Sequence, residues 1–153
     1  MARALLAVGG LLVLLIAVLI AAVALTEEDE TRAVDNLLAE NISREVATAE
    51  DNRRRVELAA LTDFAWDEVL IVREGTPPEQ LDEALGAEFE GGLNYDIESG
   101  ELFVFVRDGE VVRYADYRGR GRFALDEPVT RFSRDEAVFE VNDLVAQPVG
   151  GRE

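Results

Sequence analysis

The hydrophobic and polar positions of this chain fall into three stretches. From Ala4 to Leu25 there are 22 residues without a charge or a strong polar group. About 20 apolar residues suffice for a helix to cross the hydrocarbon core with its backbone groups bonded internally, as lipid demands. Residues 1–25 are therefore predicted to be a transmembrane signal-anchor, since a helix buried in a soluble body is seldom apolar on every face over such a length. Arg3 and the terminal amine precede the run, and Glu27-Glu28-Asp29-Glu30 follows it. Positive flanks stay in the cytoplasm. The expected orientation is a single pass through the cytoplasmic membrane, contacting lipid through residues 4–25, with the N-terminus inside and the C-terminal domain outside. A cleaved signal peptide is the competing reading. Ala22-Val23-Ala24 offers an A-x-A site, although the apolar cores of such peptides run to about 7–15 residues. Cleavage after Ala24 would release the same domain as a secreted protein.

Residues 26–55 are predicted to be a helical juxtamembrane stalk. Thr26 and Asp29 suit its first turn, a hydroxyl cap with an acid three residues on. Val34, Leu37, Leu38, Ile42 and Val46 form one stripe at helical spacing, and Asp35, Glu40, Arg44, Glu45, Glu50 and Asp51 occupy the other faces. A continuous helix of this length would reach about 45 Å. The stripe has two possible partners: the body of the same chain, or a second copy in a homo-oligomer held through Val34, Leu38 and Ile42. It is too short to sustain a coiled coil.

Residues 56–145 are expected to form an extracytoplasmic α+β domain, a small mainly antiparallel sheet of four or five strands with one short helix. Glu57-Leu58-Ala59-Ala60-Leu61 is either a last helical turn or a first strand. Trp66 to Val72 reads as a strand. Thr76 can cap a helix that opens at Pro77, turns Leu81, Ala84 and Leu85 inward and stops at Gly86. Glu101 to Arg107 is a strand, and Asp108-Gly109 joins it to Glu110–Ala115. Asp-Gly between two apolar runs marks a type I′ hairpin, which needs positive φ at both central residues. Arg131 to Val141 closes the domain, and residues 146–153 are expected to be a flexible tail. The expected core is Trp66, Leu70, Val72, Leu81, Leu85, Phe103, Phe105, Val112, Tyr114, Phe132, Val138 and Phe139.

Leu61-Thr62-Asp63-Phe64 with Trp66-Asp67, the Pro-led helix ending in Leu85-Gly86, Phe103-Val104-Phe105-Val106 with Asp108-Gly109, and Phe132-Ser133-Arg134-Asp135 with Ala137-Val138-Phe139 span most of residues 57–141. This pattern resembles small exported or membrane-anchored bacterial proteins of uncharacterised function. The resemblance implies a similar body. It carries no activity and no functional residues with it.

Composition narrows the chemistry. The 153 residues contain no His, no Cys and no Lys. This excludes disulfides, thiolate metal sites, imidazole catalysis, Schiff bases and the P-loop lysine. Residues 26–153 hold 14 Arg against 32 acids, a net of −18, which disfavours nucleic acid as a partner. Complete preference for Arg over Lys fits a GC-rich genome, and the acidity is also compatible with a saline habitat.

Five local patterns bear on function. Asp67 beside Trp66 is the best single candidate for an acid with a shifted pKa, as a carboxylate-dependent envelope glycan enzyme would need; local backbone bonding is the simpler use. Asn94-x-Asp96-x-Glu98 starts like a calcium loop but has Phe105 where a bidentate Glu belongs. Asn41-Ile42-Ser43 matches a glycosylation sequon, and Arg53-Arg54-Arg55 suits a helix end. The most distinctive pattern is Arg118-Gly119-Arg120-Gly121-Arg122. Between Arg107 and Arg122 five Arg outnumber three acids. Guanidinium forks on a glycine-loosened backbone suit carboxylates or phosphates. Arg118, Arg120 and Arg122 are therefore the candidate partner-binding residues, for an envelope protein or an anionic polymer. No metal ligands, cofactor or catalytic residues are expected. The functional expectation is a nonenzymatic interaction domain, with the glycan enzyme and a structural subunit assembled through the stalk as alternatives.

Overall fold

A computed structural model describes residues 34–52, 54–91 and 100–150 of the chain. The apolar run at 4–25, the Thr26 cap and the Asn94–Glu98 segment lie outside the described residues. No helix among the described residues is long and apolar enough to cross a membrane.

The expectation of an α+β fold holds, with more strands than expected. The order is α1 (Asn36–Asn52), β1 (Arg55–Glu57), α2 (Leu58–Leu61), β2 (Glu68–Arg73), α3 (Pro78–Leu85), β3 (Glu101–Arg107), β4 (Glu110–Tyr117), β5 (Arg122–Phe123), β6 (Val129–Ser133), β7 (Val138–Asn142) and β8 (Val145–Pro148). These make two four-stranded sheets. The first runs β4-β3-β2-β6 and is antiparallel throughout. The second runs β1-β7-β8-β5, with β5 and β8 parallel.

The unbroken apolar runs in β2 and β3 follow from burial on both faces. Alternation sends Val69, Ile71, Phe103 and Phe105 to one core, and Leu70, Val72, Leu102, Val104 and Val106 to another. The second core is closed by α3 through fully buried Leu81, worth about 2 kcal/mol in transfer terms. Helix α3 begins after Pro77 and ends at Gly86, whose φ of 74° is left-handed. Thr76 does not cap it: the hydroxyl donates to the carbonyls of Arg73 and Pro128, pinning β2 to the β5–β6 connection. Asp108 and Gly109 have φ of 52° and 82°, as the expected hairpin turn requires.

The first core lies between the two sheets and α1. It contains edge-to-face pairs from Tyr117 through Phe103, Phe123 and Phe139 to Phe132, with ring centroids 4.9–5.7 Å apart. Helix α1 belongs to this core. Leu38, Ala39, Ile42, Val46 and Ala49 are buried in it, and Ile42 is 0% exposed. Two expectations are thereby corrected. The helix is not a stalk separate from a body beginning at 56, since its buried residues share one core with strands of both sheets. The stripe of Val34, Leu38 and Ile42 is also not free for a second copy. Leu38 and Ile42 are interior, and Val34 bridges to Tyr114 on the edge of β4. Leu37, expected on the stripe, is 66% exposed. Asp35 caps the helix: its Oδ1 accepts from Leu38 N–H at 2.8 Å, and its Oδ2 pairs with Arg113 at 3.0 Å.

The C-terminal end also differs from expectation. Residues 145–148 form β8, with Ala146 fully buried, so the expected flexible tail from 146 is in part a core strand. The segment Glu57–Leu61 is divided: β1 ends at Glu57 and one turn of helix follows.

Candidate functional site

The Arg-Gly loop leaves β4 at Tyr117 and enters β5 at Arg122. Tyr117 is buried, and its hydroxyl donates to the Arg120 carbonyl. Burial, followed by the charge of Glu101, pushes the phenol pKa up. Arg120 N–H donates to Ser43 Oγ on α1 at 2.9 Å, and Arg122 N–H donates to the Leu144 carbonyl at 3.0 Å. The glycines serve close approach, contrary to the expected mobile backbone. A Cβ on Gly119 would strike Ser43, and one on Gly121 would lie 2.5 Å from Leu144 O with φ at +84°.

This frame leaves the three guanidiniums in different states. Arg118 pairs with Asp116 at 2.9 Å. Arg122 is exposed beside Glu101 and acts on that carboxylate without forming an ion pair. Arg120 is exposed, and its guanidinium makes no hydrogen bond or ion pair with any described residue. Asp116 Oδ1 is buried without a hydrogen-bond partner among the described residues.

A cleft lies on each side of the loop. One, of about 590 Å³, is bounded by α1 through Glu40, Ser43 and Arg44, and by Asp116 and Arg120. The other, of about 460 Å³, lies where the two sheets meet and is lined by Arg73, Glu74, Glu101, Arg118 and Arg122. Glu101 ties the sheets together there. It is 7% exposed, and its Oε1 accepts from Phe123 N–H at 3.0 Å. Burial is the chief cause that raises its carboxyl pKa; the charge of Glu74 adds to the rise, and the Phe123 bond and Arg122 oppose it.

The other sequence candidates fall elsewhere. Asp67 is exposed at the opposite end of β2, where its Oδ2 accepts from Asp108 N–H at 2.9 Å and braces the hairpin. Arg54 and Arg55 face their own chain's Glu45 and Glu140. In the sequon, Ile42 is buried and Ser43 is engaged with Arg120. Among the described residues, no group of three or more acidic side chains is placed to hold a metal. Glu101, Ser43 and Tyr117 were missed as site residues. Alternation along β3 carried a signal for Glu101, which shares the face of Phe103 and Phe105.

The chain matches no protein-family model, no curated protein and no solved structure.

Proposed function

We propose that residues 33–150 are the extracytoplasmic part of a single-pass membrane protein, a nonenzymatic module that captures an anionic envelope partner through Arg118, Arg120 and Arg122. The placement rests on the uncharged run from Ala4 to Leu25 and the acids that follow it. If the leader is cut after Ala24, the same module acts as a secreted protein. The observation that carries the binding role is the Arg120 guanidinium, which has no partner among the described residues, on a backbone locked by Ser43 and Tyr117. A backbone already fixed removes the cost of ordering the loop when the cation pairs, which favours capture by carboxylate or phosphate groups. The strongly acidic surroundings repel a polyanion elsewhere on the surface and so direct it to this loop.

The test is cosedimentation of the full-length chain with isolated anionic cell-wall polymer. Arg120→Ala is expected to weaken binding about tenfold, with a further loss in the variant lacking all three Arg, and added salt should weaken the wild type. Retention by the triple variant at wild-type strength would refute the role of the loop.

A further inference from the structure

The cleft at the sheet junction contains opposite charges that do not cancel one another. Its volume of about 460 Å³ falls within the range of about 300–1,000 Å³ common for small-molecule sites. Glu101 forms part of its wall, more than nine-tenths buried, with only Oε1 used in a hydrogen bond. Its Oε2 has no hydrogen-bond partner among the described residues. Glu74 adds a second negative charge nearby, which raises the Glu101 pKa further. On the other side, Arg122 acts on Glu101 electrostatically but forms no ion pair with it. Among the described residues the Arg73 guanidinium reaches only the Leu125 carbonyl, at 3.4 Å, and Arg118 is shared with Asp116.

Three ligand classes can be compared against this lining. A bare divalent cation needs several oxygen ligands. The cleft offers two carboxylates and sets three guanidiniums beside them, which repel the ion. A simple anion meets the guanidiniums but also faces Glu74 and Glu101. A molecule with an ammonium group at one end and a carboxylate at the other satisfies both sets, and its ammonium supplies the donor that Oε2 lacks. We propose that this cleft binds a small zwitterion, an amino acid or short peptide with a free amine and a free carboxylate. The ammonium sits on Glu101 Oε2 and the carboxylate on Arg122. The cleft shares Arg118 and Arg122 with the polymer-capturing surface, but the zwitterion site stands whether or not that surface binds polymer.

The experiment titrates the full-length chain in detergent with alanine and alanylalanine by calorimetry, then with N-acetyl-alanylalanine and with alanylalanine amide. Saturable one-to-one binding of the free dipeptide is expected, with each blocked form about tenfold weaker because one charged contact is lost. Glu101→Gln should erase discrimination against the acetylated form. Arg122→Gln should erase discrimination against the amide. Because Arg122 is exposed, that variant keeps the test open if Glu101→Gln fails to fold. Equal binding of all three dipeptides would overturn the proposal, as would discrimination unchanged in the variants. So would no binding of alanine or alanylalanine at about 10 mM, where even a millimolar site would be mostly filled. Loss of polymer binding with zwitterion binding intact would count against the polymer-capture reading alone.

Discussion

Glu101 places a carboxylate on the inward face of a strand, and that makes stability depend on pH in an unusual direction. Burial holds its carboxyl above the ordinary 4.5. Below that value both folded and unfolded chains carry the proton, and nothing is lost. As pH rises past it the unfolded chain ionises first, so this residue's contribution to stability falls until the folded carboxyl has also ionised. Glu101→Gln keeps an acceptor for Phe123 N–H and removes the titration. Its melting temperature, relative to wild type, is expected to become more favourable as pH rises above about 4.5 and to level off once the folded carboxyl has ionised. A constant difference across that range would show that the carboxyl is not perturbed. Leu144 poses a backbone problem at the same scale. It holds φ at 58° in the β7–β8 turn, beside Asp143 at 53°. A left-handed side-chain residue costs about 1–2 kcal/mol, partly offset by the greater unfolded-state freedom of glycine. Leu144→Gly should therefore stabilise the chain by about 0.5–1 kcal/mol in denaturant titration.

Helix α1 shows how an element can be legible in sequence while the surface that covers it is left open. Its amphipathic stripe is plain in Leu38, Ile42 and Val46, but a stripe specifies only that something covers it. Here the cover is supplied by both sheets of the same chain. Ile42→Ala is expected to cost about 2–5 kcal/mol in global unfolding. An independent stalk would leave the main transition unmoved. By the same packing, residues 56–145 expressed alone should fail to show a cooperative transition, and residues 33–150 should show one. The β3–β4 hairpin was legible because Asp108-Gly109 states its turn chemistry. The β7–β8 hairpin was hidden because Asp143-Leu144 carries no glycine, which left β8 to be read as tail. Strand β5 has two residues, too few for any periodicity. The loop arginines were visible as a charge cluster, but the rigidity of the loop was not. It arises from the neighbouring Tyr117 hydroxyl and from Ser43 and Leu144, which are distant in sequence from Gly119 and Gly121. Gly119→Ala or Gly121→Ala is expected to cost about 1–3 kcal/mol through the backbone shift it forces. A mobile loop would accept either change with no measurable loss.

At the scale of the whole molecule, a chain of net charge −17 joins an apolar N-terminal segment to a body whose larger core spans both sheets and α1. Such a charge keeps the body soluble and away from anionic surfaces. It leaves the Arg-Gly loop as a local exception, where an anionic partner meets attraction. The proposed capture of an envelope polymer depends on where the body resides. Sealed cells carrying the full-length chain should be treated with an externally added protease, with an epitope at the C-terminus followed by immunoblot. The account predicts loss of the epitope in intact cells while a cytoplasmic control protein survives. Survival of the epitope until the cells are lysed, followed by its loss, would contradict the placement outside the membrane.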